Sequence, residues 1–168
     1  MLKIPAALAC LGFVALCSAP SFAQPLTGDM AGTQYLVGSW DCSVRVMPPT
    51  GGSRQENATL TFAVVPGNAL SQTIVSPVFS SVGFLGYDTQ LKKFFSNTVD
   101  NVGGASMQTA DSGSPGHTVF TGTSTQGGQT APSRDTDDKI SDTQIHSLTE
   151  INLGGTWTKV ADASCTKH

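Results

Sequence analysis

The stretch GSWDCSVRV, residues 38–46, alternates apolar and polar side chains along its length. One side of it carries Trp40, Cys42, Val44 and Val46, and the other carries Ser39, Asp41, Ser43 and Arg45. Successive side chains of an extended strand point to opposite faces. This alternation therefore predicts an antiparallel strand with one face buried and the other in water.

The same alternation recurs along the rest of the chain, interrupted by clusters of Gly, Pro, Asn and Asp that favour turns. Ten short strands are predicted, at 38–46, 57–65, 69–76, 78–87, 91–99, 105–110, 117–125, 133–141, 143–152 and 156–161. Many short strands without intervening helical patterns are typical of an all-β sandwich or barrel. We predict an up-and-down antiparallel barrel of about ten strands. Before it we expect a short N-terminal helix from Met30 to about Leu36, capped by Asp29.

Composition limits the class of protein. The chain has 168 residues, of which 39% are hydrophobic and only 12% charged, and its net charge is -3. This length suits a single domain, which we place at residues 30–168 after a leader at 24–29. Nucleic-acid binding requires clustered Lys and Arg to neutralise phosphates, so the mild acidity argues against it.

Residues 1–23 have the organisation of a secretory signal peptide. Lys3 precedes an apolar run, and Ser21-Phe22-Ala23 supplies the small residues expected before a cleavage site. The run is too short to span a bilayer, and Leu16 before Cys17 disfavours a lipoprotein signal. We expect an exported protein, periplasmic or secreted in a Gram-negative bacterium, and not an integral membrane protein.

Two cysteines remain after removal of the signal, Cys42 and Cys165, 123 positions apart. An even pair in an exported protein predicts a disulfide, with free thiols or an intermolecular bridge as the alternatives. Such a bridge requires the first and last strands to be neighbours. Closing so long a loop stabilises the fold by about 4–5 kcal/mol in the loop-entropy model.

Three motifs, in this order, resemble a family of proteins: Leu36-Val37-Gly38-Ser39-Trp40, Gly86-Tyr87-Asp88 and Gly154-Gly155-Thr156-Trp157. The family consists of uncharacterised exported bacterial proteins whose fold is similar to nitrobindin and the wider lipocalin-like, or calycin, barrels. The resemblance spans about residues 30–165 and implies a ten-strand barrel with a small interior cavity. Nitrobindins bind haem through a His near the C-terminus. Nothing around His168 resembles that site, so no haem ligand is carried over.

Several residues are candidates to line a cavity in such a barrel: Trp40, Phe62, Phe84, Phe120 and His146. Trp40 would either cover a ligand or close one end of the core. Arg45 faces the opposite side from Trp40 by strand parity, so an Arg stacked on the indole, as in lipocalins, is not expected from it. His146 and Glu150 share one strand face, whereas Ile145 and Ile151 share the other, which is the better candidate for the core.

No catalytic, metal-binding or cofactor-binding residues are assigned. The sequence contains neither His-Glu-x-x-His nor a Gly-x-Ser-x-Gly nucleophile elbow. The acidic run Asp135, Asp137 and Asp138 lacks the Gly and distal Glu of a calcium loop, and we interpret it as a solvated loop. An enzyme is therefore the least favoured class.

Two functions remain open. The first is the binding of a small apolar or amphipathic ligand inside the barrel, since barrels of this size leave room for one small molecule. The alternative is a protein-binding or inhibitory envelope module that acts through the polar hairpin loops between Asp111 and Asp138. No cofactor is expected, and the protein partner of the alternative is unknown.

Overall fold

The computed structural model describes residues 24–49, 51–111 and 116–168. The predicted signal peptide at residues 1–23 lies outside these described residues. Within them, no helix is both long and apolar enough to cross a membrane.

Ten antiparallel strands form one closed barrel in which consecutive strands pair and β1 also pairs with β10. The prediction of an all-β up-and-down barrel with a short N-terminal helix is confirmed. The strands are β1 (Gly38–Val46), β2 (Arg54–Val65), β3 (Ala69–Val75), β4 (Ser80–Asp88), β5 (Lys93–Asp100), β6 (Ala105–Asp111), β7 (His117–Gln126), β8 (Gln129–Ser141), β9 (Gln144–Leu153) and β10 (Thr156–Lys167).

The last strand differs most from its predicted bounds. β10 continues to Lys167, whereas the sequence pattern predicted its end at 161. A register shift between Lys159 and Ala161 explains the difference. A bulge reverses which parity faces inward, so the alternation that marks the strand in the sequence is interrupted there.

The N-terminal helix is a 3-10 helix, Gly28–Leu36, that covers the end of the barrel where β1 begins. We call this the capped end. The expected cap by Asp29 is wrong: the helix starts one residue earlier, at Gly28, and Thr27 occupies the N-cap position without a side-chain bond. The helix is held to the barrel instead by Trp40, whose indole Nε1 donates to the Leu36 carbonyl at 2.8 Å.

Closure between β1 and β10 places Cys42 directly opposite Cys165, and the two are joined by a disulfide. Gly38 opens β1 at φ +126°, a conformation that side chains rarely adopt. A Cβ there would lie 3.0 Å from Cε of Lys167. The Nζ of Lys167 donates to the Tyr35 carbonyl at 2.7 Å and lies 5.2 Å from the Trp40 ring centroid. Lys167 near the end of β10 therefore contacts both the N-terminal helix and the Trp40 indole. We call this line of contacts between β1 and β10, with the disulfide, the seam.

The hydrophobic core fills the capped half of the barrel. Trp40 and Leu70 are fully buried, and Met30 from the helix is 1% exposed. The other buried apolar residues are Leu26, Leu36, Cys42, Phe62, Leu85, Ala110, Phe120 and Cys165. The burial of these side chains is the main favourable term in folding.

We predict that Cys42→Ala lowers the melting temperature by more than about 10 °C, because the unfolded chain regains the entropy that the bridge removes. Thermal unfolding followed by circular dichroism checks this. The double variant Cys42→Ala/Cys165→Ala is the control, and it should melt within a few degrees of the single variant. A shift under about 2 °C in the single variant would show that the bridge does not stabilise the fold.

Candidate functional site

The acidic run lies in β8, within the strand predicted at 133–141, so the interpretation of the run itself as a solvated loop was wrong. Strand parity explains its placement. Asp135 pairs with the buried Phe120 on β7, and Asp137 pairs with Thr118. Since directly paired residues share a face, Asp135 and Asp137 point into the barrel. Asp138 has the opposite parity and points outward.

Polar side chains from neighbouring strands surround the two inward carboxylates. Across β9, Asp135 pairs with Thr149 and Asp137 pairs with Ser147. On the other side of the interior, Nε2 of Gln108 donates to Oγ of Ser133 at 3.1 Å, and both residues are buried. We call this set the acidic interior site. It consists of Gln108, Ser133, Asp135, Asp137, Ser147 and Thr149.

Burial controls the protonation of both carboxylates. It raises the pKa of Asp137 from 3.8 to about 6, while a hydrogen bond with Ser147 acts in the opposite sense and the neighbouring charge of Asp135 adds to the rise. Burial also raises the pKa of Asp135, against hydrogen bonds with Thr149 and Gln108 that lower it. Perturbed carboxylates that share an interior are frequent at functional sites.

One atom of the site lacks a partner. Oδ1 of Asp135 is buried and has no hydrogen-bond partner. Buried polar atoms are nearly always hydrogen-bonded in folded proteins, so such an atom marks a place where water, an ion or a ligand completes the structure. The Asp135 oxygen is therefore the strongest single pointer to a binding site in the described part of the chain.

The N-terminal helix reaches the same region. Burial, followed by the charge of Asp137, raises the pKa of Tyr35 to about 12, so the phenol remains neutral near this carboxylate. Nζ of Lys139 lies 4.5 Å from the Tyr35 ring centroid. Tyr35 belongs to the helix that covers the capped end. The acidic interior site therefore lies beneath this helix, close to the Tyr35 side chain.

The interior keeps accessible surface around the acidic interior site. Thr118, Asp135, Asp137, Ser147 and Thr149 all point toward the barrel axis, yet each is only partly buried. In a filled core these positions would be fully buried, as Trp40 and Leu70 are. The interior is therefore less tightly filled around the acidic interior site than around Trp40 and Leu70.

The residues predicted to line a cavity separate into two groups. Trp40, Phe62 and Phe120 are buried at 0%, 7% and 6% exposure in the barrel interior. Phe84 is 47% exposed and lies on the outer face of β4, where its partner on β5 is Asn97. The assignment of Phe84 to the interior is therefore corrected, because its inward neighbours are Leu85 and Gly83.

His146 also points outward, and its assignment to the interior is corrected as well. Its Nε2 lies 2.9 Å from Oδ1 of Asp162, and its Nδ1 lies 4.0 Å from Oδ2 of Asp138. Asp138 in turn bonds Nδ1 of His117 at 2.6 Å. The opposite face of β9, which carries Ile145 and Ile151, points inward, as the sequence analysis favoured.

A second charged group on the outer wall is self-contained. Nε of Arg134 donates to Oε2 of Glu150 at 2.5 Å, and the Arg134 guanidinium lies 4.5 Å from the Trp157 ring centroid. The hydrogen bond from Arg134 lowers the pKa of Glu150. Arg134 and Glu150 bond each other and the Trp157 ring lies against the guanidinium. We therefore interpret this group as a structural contact between β8, β9 and β10.

A depression of about 720 Å³ lies on the outside of the wall formed by β1, β2 and the end of β3. Its rim consists of outward residues such as Asp41, Ser43, Asn57 and Thr59, which are exposed to water. None of these four is buried, so the depression lacks the buried polar groups of the acidic interior site.

Among the described residues no group of three or more His, Cys, Asp or Glu is arranged to hold a metal ion.

The closed ten-strand antiparallel barrel agrees with the fold that the sequence resemblance implied. The chain is similar to a protein of M. tuberculosis known from the crystal structure of Rv2717c, with a TM-score of 0.70 and 13% sequence identity. The similarity covers 85% of this chain and 99% of that one. At this identity the likeness concerns the fold alone. No family model and no curated protein matches the sequence.

We predict that Asp137→Asn stabilises the protein at pH 7. An unfolded Asp titrates near 3.8 and the folded one near 6. The folded state therefore binds more protons between these values, so stability is complete below pH 4 and falls as the pH rises to 6. About two pKa units correspond to roughly 3 kcal/mol, which should raise the melting temperature by at least about 4 °C at pH 7.

Melting curves from pH 4 to pH 7 check this expectation, and the advantage of the variant should vanish near pH 4. Asp162→Asn is the control, because it removes a carboxylate from the outer wall, where the Asp162 side chain is partly exposed and bonds His146, and it should not stabilise the protein. Equal melting temperatures of wild type and Asp137→Asn at pH 7 would contradict the burial of a charged Asp137.

Proposed function

We propose that the protein is an exported carrier or sensor that binds one small amphipathic molecule inside the barrel. The observation that supports this most directly is a polar site inside an otherwise apolar interior. The acidic interior site adjoins the core residue Phe120, is only partly buried and contains an unpartnered carboxylate oxygen. Ligand sites typically combine apolar lining with a few convergent polar groups.

The acidic interior site favours an amphipathic ligand over a wholly apolar one. A hydrocarbon placed beside Asp135 and Asp137 would remove their remaining water without offering a hydrogen bond. Leaving buried polar groups unpaired costs about 1–3 kcal/mol each, and more for charged groups. A ligand with an apolar part toward Phe120 and a polar end at Asp135 avoids this cost.

Export is supported by two features of the chain. The first 23 residues have the pattern of a secretory signal, and the Cys42–Cys165 disulfide suits an oxidising compartment. A periplasmic or secreted location follows from these features as part of the proposal.

The alternative function, binding of a protein through the hairpin loops, has less support. The β7–β8 hairpin is long, but the two strands are joined only by Gly127 and Gly128, which leaves little loop for a partner to recognise. Residues 112–115, between β6 and β7, lie outside the described residues.

The proposal predicts saturable binding of the neutral probe N-phenyl-1-naphthylamine, measured as an increase of its fluorescence at pH 7.5. Ala161→Phe should weaken this binding at least about tenfold, since Ala161 points inward beside Thr149 and the added ring occupies the same space. Ala163→Leu, one inward position further along β10, should also weaken binding.

Thr109→Phe is the matched control, because Thr109 is exposed on the outer face of β6. It adds the same ring to the outside of the barrel and should leave the affinity unchanged. Circular dichroism confirms that each variant is folded. If the wild type does not bind the probe, or all three variants bind it equally, the interior is not the binding site.

A further inference from the structure

We infer that the polar end of the bound molecule is an organic cation, a protonated amine, held between the carboxylates of Asp135 and Asp137. This inference rests on the proposed function, because it names the chemical class of the ligand for the same site. Four structural observations lead to it.

The first observation is that both carboxylates lack a cationic partner. Among the described residues, no nitrogen of Lys, Arg or His lies within 4.0 Å of a carboxylate oxygen of Asp135 or Asp137. Two like charges that share a poorly solvated interior repel each other and lose hydration. A bound cation would remove both costs at once.

The second observation is that each nearby cation is engaged elsewhere. Nζ of Lys139 bonds Oδ1 of Asp142 at 2.6 Å. Nζ of Lys167 bonds the Tyr35 carbonyl, and Arg134 points outward to Glu150. His146, whose charge would favour an ionised Asp137, lies on the outer face against Asp162. The remaining charged neighbour of Asp137 on β8 is Asp138, which is also acidic. Lys139 and Lys167 occupy inward positions, yet neither forms an ion pair with Asp135 or Asp137 in the described part of the chain.

The third observation is that one of the two carboxylate oxygens of Asp135 lacks a donor, while Thr149 and Gln108 already bond this carboxylate. Its buried Oδ1 has no partner, although Oγ of Ser133 accepts from Gln108 nearby. An ammonium group carries three donors and no acceptor, which complements a site of carboxylates and hydroxyls. Hydrogen bonds between an ammonium and a carboxylate are also stronger than those between neutral groups.

The fourth observation distinguishes an organic cation from a metal ion. Phe120 is buried and pairs directly with Asp135 across the two strands. An aromatic side chain beside a carboxylate suits the apolar substituents and the charge of an ammonium group. A bare divalent ion would instead require more carboxylate or imidazole ligands, and the described residues offer no group of three.

Isothermal titration calorimetry with three probes of equal chain length tests the inference. At pH 7.5 we expect n-octylammonium to bind at least about tenfold tighter than n-octanol, and octanoate to bind more weakly than both. Asp135→Asn and Asp137→Asn should each reduce the preference for n-octylammonium several-fold while leaving n-octanol binding within about twofold. Asp162→Asn removes the same charge from the outer wall and should preserve the preference.

The pH gives a readout that a structural role of these residues would not move. Lowering the pH from 7.5 to 5 protonates Asp137, whose pKa is about 6, and should weaken n-octylammonium binding several-fold without changing n-octanol binding. In Asp137→Asn this pH dependence should largely disappear.

The failures of the two proposals are distinguishable. If n-octanol and N-phenyl-1-naphthylamine bind but n-octylammonium binds no tighter than n-octanol, the cation inference is overturned and interior binding stands. A preference for n-octylammonium that persists in both Asn variants also overturns the inference, because groups other than Asp135 and Asp137 would then bind the ammonium. If none of the probes binds, the proposed function fails and the cation inference fails with it.

Discussion

Pairing of β1 with β10 is the constraint on which the rest of the structure depends. It closes a sheet that would otherwise have two edges, and it places Cys42 opposite Cys165. Closure also fixes the face of every strand, because directly paired residues share a face around the whole ring. Once Trp40 and Cys42 point inward, the side of each following residue is set by register and not by its own polarity.

That constraint explains why carboxylates lie in the interior. β8 offers no apolar face: its central residues are Ser133, Arg134, Asp135, Thr136 and Asp137. A closed barrel must nevertheless turn one of its two faces inward. The register with β7 and β9 selects the face that carries Asp135, Asp137 and Lys139. It leaves Arg134 outside, where Arg134 bonds Glu150 and lies against Trp157. The acidic interior site is therefore a consequence of closure acting on an unusually polar strand.

The sequence predicts most of the fold and little of the site, because the inward face of a strand can be read only where polarity alternates along it. Where polarity alternates clearly, as in residues 38–46, strand and inward face are both readable. In β4 both parities carry apolar residues, Val82 and Phe84 on one and Leu85 and Tyr87 on the other, so local pattern cannot tell that Phe84 is outside. In β8 both parities are polar, and the loop interpretation of Asp135 and Asp137 followed from that. Only pairing with distant strands resolves such cases.

The apolar core and the acidic interior site place opposite demands on the stability of the barrel. Trp40, Leu70 and Met30, together with the disulfide, supply the apolar burial and the cross-link that a closed barrel of this size needs. The acidic interior site works against that stability, since burial raises the pKa of both Asp135 and Asp137 and disfavours their charged forms. Stability alone would favour neutral or apolar side chains at these positions. Buried groups that lower stability tend to persist where function requires them. The Cys42–Cys165 disulfide and the helix held by Trp40 contribute stability that offsets part of this cost.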